Sequence, residues 1–263
     1  MARIRLLAVG VAALASLALP VGASSHQMRP LCDGRPATIV GTAGDDDITG
    51  TRAPDVIVTG PGDDVVHGLG GDDRICAGSG ADRVFGGRGN DRLFGEGGRD
   101  HIKGERGNDF ISGGGGADHL DENAGDGTVL GGAGRDHILG ERGIDTLSGG
   151  PGDDYISGGI GWDTLSGGPG RDTILPEKGH DSVDGGPGSD TVDYSTEPAG
   201  VVVDLAGHRS LESAGHDSLR AVENLTGSRF ADRLIGDAGD NVLIGGPGRD
   251  TLIGGGGHDT LRQ

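Results

Sequence analysis

Large apolar side chains are scarce in this chain. Aromatic residues make up 3% of its 263 residues, whereas 58 residues are glycine. Such a composition offers too little large apolar surface to offset the conformational entropy that glycine loses on folding. An ordinary globular core is therefore excluded, and the fold needs another source of stability.

Positive charge is also scarce. Lys and Arg number 22 against 41 Asp and Glu, which gives a formal net charge of -19. Nucleic acid is a poor partner for so acidic a chain. Regularly spaced carboxylates repel one another unless cations lie among them. Because acidic, glycine-rich chains with few aromatics are typically disordered, we expect disorder here when no cation is bound.

A nine-residue repeat, Gly-Gly-x-Gly-x-Asp-x-aliphatic-x, dominates the chain. It runs from Gly41 to Asp193 without insertion or deletion, and four further units run from Gly227 to Arg262. One aliphatic residue between polar neighbours predicts a short strand with one inward side chain, and the glycines predict a turn. Strands and turns repeated in register predict a solenoid. The predicted core residues are Ile48, Ile57, Val66, Ile75, Val84, Leu93, Ile102, Ile111, Leu120, Val129, Ile138, Leu147, Ile156, Leu165, Ile174, Val183, Val192, Leu234, Leu243, Leu252 and Leu261.

This repeat resembles that of the RTX (haemolysin-type) calcium-binding family over about residues 41–263. The resemblance implies an all-β fold, a right-handed parallel β-roll (β-solenoid) in which two nonapeptides form each turn. It also implies that multiple Ca²⁺ ions bind between loops 18 residues apart. Calcium prefers carboxylate and carbonyl oxygens, and these loops are rich in both. The alternative is that the aspartates only form turns.

Alternate repeats place the predicted metal ligands in two rows. The first row is Asp46, Asp64, Asp82, Asp100, Asp118, Asp136, Asp154, Asp172 and Asp190. The second row is Asp55, Asp73, Asp91, Asp109, Asp145, Asp163 and Asp181, with Gly127 in place of one aspartate. The last block adds Asp232, Asp250 and Asp259, with Asn241 as a weaker ligand. We therefore expect a fully loaded first row and a second row interrupted near Gly127.

The N-terminus has the features of a secretory signal over residues 1–23. Arg3 and Arg5 precede an apolar run that is too short to span a membrane, and small residues follow it. No other stretch is predicted to cross a bilayer. Residues 24–40 are predicted to cap the first open turn. In an exported protein, Cys32 and Cys76 are predicted to form a disulfide, with free thiols as the alternative.

Residues 194–226 break the rhythm between the repeat array of residues 41–193 and the second block of residues 227–263. This segment resembles the structural join between repeat blocks in RTX proteases and epimerases, and receptor binding is the alternative role. Because 33 is not a multiple of nine, we expect the phase of the rows to be reset across it. The Arg and His residues at variable positions are predicted to be solvated, without the clustering that a zinc site requires.

No catalytic motif is found. The sequence has neither His-Glu-x-x-His nor Gly-x-Ser-x-Gly, and few residues precede the repeats, so we expect no enzyme activity. The predicted function is that of a secreted, extracellular calcium-binding protein that serves as a structural or adhesive module. The alternative is a scaffold that binds or inhibits a protein or glycan ligand, with calcium purely structural.

Overall fold

The computed structural model describes residues 4–7, 29–211 and 215–263. Apart from residues 4–7, the predicted signal peptide lies outside these residues. In the part of the chain that the structure describes, all regular elements are strands, and none is a helix long and apolar enough to span a membrane.

Thirty-one short strands alternate with glycine-rich loops along the chain. They are β1 (Ile4–Leu7), β2 (Leu31–Cys32), β3 (Arg35–Pro36), β4 (Ile39–Val40), β5 (Asp46–Thr49), β6 (Val56–Pro61), β7 (Val65–His67), β8 (Arg74–Gly80), β9 (Arg83–Arg88), β10 (Arg92–Gly98), β11 (His101–Arg106), β12 (Phe110–Gly115), β13 (His119–Ala124), β14 (Thr128–Ala133), β15 (His137–Leu139), β16 (Thr146–Ser148), β17 (Tyr155–Ser157), β18 (Ile160–Gly161), β19 (Thr164–Ser166), β20 (Thr173–Leu175), β21 (Lys178–Gly179), β22 (Ser182–Asp184), β23 (Thr191–Asp193), β24 (Val202–Asp204), β25 (Arg209–Leu211), β26 (Ser218–Arg220), β27 (Asn224–Thr226), β28 (Arg233–Ile235), β29 (Val242–Ile244), β30 (Thr251–Ile253) and β31 (Thr260–Arg262).

The strands form a parallel β-solenoid of about 12 turns. The first sheet has 13 strands in the order β1-β5-β7-β9-β11-β13-β15-β17-β20-β23-β27-β29-β31. The second sheet has 14 strands in the order β30-β28-β24-β25-β26-β22-β19-β16-β14-β12-β10-β8-β6-β4. Throughout the first array, paired residues are 18 apart, as in Ile102↔Leu120 and Leu93↔Ile111. Two nonapeptides therefore form one turn, and the predicted all-β solenoid is confirmed.

The core is a thin double column of aliphatic side chains between the two sheets. Every predicted core residue from Ile48 to Val192 is buried, as are Leu234 and Leu243. The prediction is wrong for Leu261, which is 47% exposed, and only partly right for Leu252, which is partly buried. β31 and β30 are the outermost strands of their sheets, so these two side chains have a neighbouring turn on one side only.

The segment of residues 194–226 supplies the same core from a different backbone path. β26 pairs with β22 with an offset of 36 residues, whereas β27 pairs with β23 with an offset of 33. The phase is therefore reset between the strands of the first sheet but kept between β22 and β26. β25 then enters the second sheet antiparallel to both β24 and β26.

Residues 29–40 cover the beginning of the second sheet. β2 and β3 form an antiparallel hairpin whose turn, Asp33-Gly34, has positive φ at both residues, as a two-residue hairpin requires. A disulfide joins Cys32 to Cys76 on β8, with a Cα–Cα distance of 5.6 Å. Arg74 and Arg92 pair with Asp33 at 3.4 and 2.6 Å. These contacts hold the hairpin to the second sheet, and the predicted disulfide is confirmed.

Candidate calcium-binding loops

The predicted ligands lie where each glycine-rich loop passes into a strand. First-row aspartates precede strands of the first sheet, and second-row aspartates precede strands of the second sheet. All sixteen aspartates of the two rows, together with Asp232, are at least 92% buried. Asp250 and Asp259, near the outer end of the solenoid, are partly exposed. The fold thus removes a long series of carboxylates from water.

One carboxylate oxygen of each aspartate holds two turns together. In the first row the backbone N–H of Asp100 donates to Oδ1 of Asp118 at 2.9 Å, and Asp118 N–H donates to Asp136 in the same way. In the second row Asp91 N–H donates to Oδ1 of Asp109 at 2.8 Å. This bond explains why aspartate suits the position, since it bridges turns that are 18 residues apart.

The other carboxylate oxygen has no partner. Among the predicted ligands, all except Asp46, Asp55 and Asp259 have a buried Oδ2 atom without any hydrogen bond. A buried anionic oxygen without a hydrogen-bond donor or a cation is strongly destabilising. Such an arrangement repeated along two rows marks positions where positive charge is needed.

Backbone carbonyls converge on the same oxygens. A Cβ atom placed on Gly131 would lie 2.5 Å from Oδ2 of Asp136 and 2.5 Å from the carbonyl oxygen of Gly149 in the next turn. In the second row, a Cβ on Gly86 would lie 2.5 Å from Asp91 Oδ2 and 2.9 Å from the Gly104 carbonyl oxygen. Glycine at the first position of the repeat therefore lets a carboxylate and a carbonyl of the adjacent turn approach each other.

The oxygen set fits calcium better than a transition metal. In the described ranges no group of three or more His, Cys, Asp or Glu side chains could hold a metal ion. Consecutive aspartates of one row are a full turn apart, so each gap between turns offers two carboxylates and must draw its remaining ligands from carbonyls. Calcium accepts six to eight such hard oxygens in a flexible geometry. Zinc favours four ligands, mostly imidazole nitrogen or thiolate sulfur.

Burial makes these carboxyl groups difficult to ionise. Desolvation raises the pKa of Asp118, Asp163 and Asp190 to about 6. It raises the pKa further, to about 7, for Asp73, Asp82, Asp109, Asp145 and Asp154. For Asp181, desolvation and the nearby Asp217 raise it to about 8. A bound divalent cation would favour the charged form and reverse this effect.

The ends of the rows are finished with local hydrogen bonds. Thr42 donates its backbone N–H and hydroxyl to Asp46, and Thr51 does the same for Asp55. Asn241 accepts the Asp237 N–H on Oδ1 and donates to the Glu223 carbonyl. These side chains have partners within the protein, unlike the aspartates in the middle of the rows.

The aspartate missing at Gly127 is replaced by a carboxylate that the repeat pattern did not predict. Glu122, the first residue of the same repeat, is fully buried and occupies the space beside Gly127. Its carboxylate lies near Asp109 and Asp145, and burial followed by repulsion from Asp145 and Asp109 raises its pKa to about 9. The second row thus lacks an aspartate at this turn but has a carboxyl group there.

Two more acidic residues continue the rows beyond the first array. Asp190 N–H donates to Oε2 of Glu223 at 2.9 Å, which extends the first row. Asp181 N–H donates to Oδ1 of Asp217 at 3.0 Å, which extends the second. Oδ2 of Asp217 accepts bonds from the Tyr194 and Ser210 hydroxyls, so neither of its oxygens is without a partner.

The histidines are closer together than the sequence analysis inferred. His101, His119 and His137 form a column on the outer face of the first sheet, with ring centroids 4.7 Å apart, and Tyr155 continues it at 4.6 Å. Desolvation lowers the pKa of all three imidazoles. The 18-residue spacing that aligns the aspartates also aligns these rings, so the prediction of scattered, fully solvated histidines is wrong.

Comparison with known proteins agrees with this geometry. The family model of the RTX calcium-binding nonapeptide repeat matches overlapping segments that together span residues 40–192 and 226–261, more than half of the chain. A search of curated proteins found no match. The matched segments contain both rows and the second block of loops. The chain therefore belongs to the family of RTX calcium-binding nonapeptide-repeat proteins.

Proposed function

We propose that this protein is a secreted module whose β-solenoid folds when multiple Ca²⁺ ions bind between its stacked loops. The observation that carries the proposal is the series of buried Oδ2 atoms without hydrogen-bond partners, each facing a carbonyl of the adjacent turn. The predicted ligands in both rows share this arrangement, except at the ends. Bound calcium would supply the missing positive charge at each turn.

Folding and calcium binding are coupled in this proposal. The aliphatic core is only two side chains wide, and each turn adds further buried carboxyl groups. Without a cation, the cost of burying these charges opposes the small hydrophobic gain of each turn. Extracellular calcium sites typically bind at ~10⁻⁴–10⁻³ M, so the chain would remain unfolded during export and fold outside the cell.

An extracellular location is supported by the predicted signal peptide and by the disulfide between Cys32 and Cys76. About 12 turns at a strand spacing of ~4.8 Å would form a rod roughly 60 Å long, which suits a structural or adhesive role. The exported protein should begin near Ser24 and contain calcium. N-terminal sequencing and metal analysis of protein collected from the medium test this, and an intact Met1 terminus or calcium-free folded protein would contradict it.

A second candidate function rests on one exposed patch. Ile144, Ile160 and Trp162 are 59%, 52% and 64% exposed on the loops of the second row. The Trp162 ring contacts His180, and His180 contacts His216, with centroids 5.2 and 5.4 Å apart. Exposed aromatic and aliphatic groups of this kind favour a ligand-binding surface.

Trp162 is the only tryptophan, so its fluorescence reports directly on this patch. Titration of the calcium-loaded protein with cello-, chito- and malto-oligosaccharides should shift Trp162 emission if the patch binds glycans. The matched variant Trp162→Ala should lose binding measured by calorimetry. Unchanged emission with all three sugars would reject glycan binding at this patch.

A further inference from the structure

We propose that Glu122 is a calcium ligand that completes the second row where its aspartate is missing. This inference rests on the proposed function, because it assigns one more residue to the same series of sites. It replaces the expected interruption near Gly127 with continuous cation binding from Asp109 to Asp145. The residues concerned are Asp109, Glu122 and Asp145, on three consecutive turns.

The side chains at positions 122 and 127 have exchanged roles. In other loops a glycine at the first position leaves room for the aspartate at the sixth, as Gly131 does for Asp136. Here the first position has the long side chain and the sixth has none. A Cβ atom on Gly127 would collide with Cγ of Glu122 and lie 2.8 Å from its Oε1. The Glu122 side chain therefore occupies space that an aspartate at residue 127 would need.

The Glu122 carboxylate is in the condition expected of an unoccupied ligand. The residue is 0% exposed, and neither Oε1 nor Oε2 has a hydrogen-bond partner. The neighbouring aspartates of the row, Asp109 and Asp145, also have a buried Oδ2 without a partner. Three carboxyl groups on successive turns thus present unpartnered oxygens to the interior of one loop stack.

The backbone of this loop retains the stacking of the standard repeat. Gly127 N–H donates to Oδ1 of Asp145 at 2.9 Å, in the place of the usual aspartate N–H. The carbonyl oxygen of Glu122 faces Gly104, where it would lie 2.9 Å from a Cβ atom on that glycine. Both the carbonyl and the carboxylate that a calcium site uses are consequently present in this turn.

A proton could also satisfy Glu122, and glutamine separates the two explanations. Gln has the shape of the protonated acid but cannot bind calcium as an anion. If Glu122 is a calcium ligand, Glu122→Gln should lose about one to two bound ions, because each carboxylate borders two gaps, and its calcium midpoint should rise about two- to tenfold. If the acid only fills space, the variant should match the wild type.

The experiment is equilibrium dialysis of residues 24–263 against calcium, followed by metal analysis by mass spectrometry. Glu141→Gln is the matched control, since Glu141 is exposed on the next turn of the same loop edge, and its ion count should equal that of the wild type. The double variant E122G/G127D restores the standard pair and should recover the wild-type count. Wild-type stoichiometry and midpoint in Glu122→Gln would overturn the inference.

Crystals of the calcium-loaded wild type provide a readout that does not depend on the folding of any variant. Anomalous scattering from calcium should give density beside the Glu122 carboxylate, on the side of Asp109 or Asp145. Absence of density there, with density in neighbouring turns, would overturn the assignment of Glu122 while leaving the proposed function intact. Absence of calcium from the whole solenoid would instead refute the proposed function.

Discussion

The two rows of loops share one repeat but differ in how they supply carboxylates. The first row has aspartate every 18 residues from Asp46 to Asp190, and Glu223 then accepts the next N–H. The second row replaces one aspartate by Glu122 and continues to Asp217, whose oxygens are held by Tyr194, Ser210 and a backbone N–H. The fold therefore retains a buried carboxyl group at each turn, although the residue that provides it varies.

The rows also differ in how strongly burial acts on them. The highest pKa values printed by burial and crowding belong to the second row, about 8 for Asp181 and about 9 for Glu122. In the first row, Asp82 and Asp154 reach about 7, and Asp118 and Asp190 about 6. The less regular row thus opposes ionisation more strongly and gains more from a bound cation.

The largest expected effect is that of pH in the absence of calcium. Because the folded-state pKa values are raised, the stability that protonated carboxyls contribute is complete below about 3.8 and is lost as pH rises through about 6 to 8. In EDTA, far-UV circular dichroism should therefore show more β-structure at pH 5 than at pH 8. A β signal that increases with pH in EDTA would contradict this.

A pair of variants extends the pH experiment to the two rows. Asp181→Asn and Asp118→Asn each remove one buried charge, from the second and the first row respectively. In EDTA at pH 8, Asp181→Asn should increase the β signal more than Asp118→Asn does, because the Asp181 carboxyl has the higher pKa. The opposite order would show that the first row carries the larger burden of buried charge.

The next effect concerns calcium-loaded protein. Asp118→Asn and Asp109→Asn remove one carboxylate oxygen from the middle of each row, and each should lower the free energy of unfolding by ~1–3 kcal/mol. If Glu122 completes the second row, the two losses should be similar. Chemical denaturation at saturating calcium measures both. A much smaller loss for Asp109→Asn would restore the view that the second row is interrupted beside it.

A smaller effect is expected where the second row ends. Tyr194 is 1% exposed and donates its hydroxyl to Oδ2 of Asp217 at 3.0 Å. Tyr194→Phe leaves this acceptor with one partner fewer and should lower the free energy of unfolding by ~1–2 kcal/mol. Tyr155→Phe, on the outer face of the first sheet, is the control and should change it by less than ~0.5 kcal/mol. Equal effects of the two substitutions would show that Tyr194 does not stabilise the row through Asp217.

The smallest effect is expected outside the rows. Asp126 is exposed, and its Oδ1 accepts the Ile144 N–H at 2.9 Å on the surface of the second row. Asp126→Ala should lower the free energy of unfolding by less than ~0.5 kcal/mol and leave the number of bound ions unchanged. Dialysis and denaturation of this variant check both values. Loss of an ion would mean that ligands extend beyond the buried carboxyl groups.

The repeat made most of the fold predictable. One aliphatic side chain per nonapeptide was enough to predict the buried residues from Ile48 to Val192, because each unit contributes a single inward position. Two nonapeptides per turn and the disulfide between Cys32 and Cys76 were also predicted correctly. Leu261 was misjudged because burial depends on a neighbouring turn as well as on the sequence of its own unit.

The residues that were missed depart from the repeat. Glu122 supplies its carboxyl group from the first position of a unit, so a search for acids at the sixth position finds only Gly127. Asp217 and Glu223 enter the rows through offsets of 36 and 33 residues, which depend on the path of the chain between the repeat blocks. A glutamate in place of the first glycine, paired with a missing aspartate five residues later, was the available signal.

Calcium titration of residues 24–263, followed by far-UV circular dichroism at neutral pH, tests the coupling of folding to calcium most directly. The account predicts a cooperative transition from coil to β-structure near millimolar calcium, reversed by EDTA and not reproduced by magnesium. Magnesium should fail because it requires a smaller, nearly octahedral site and retains its water. A β spectrum that is unchanged by calcium and EDTA would show that the aspartates act mainly as turn residues, and would contradict the account.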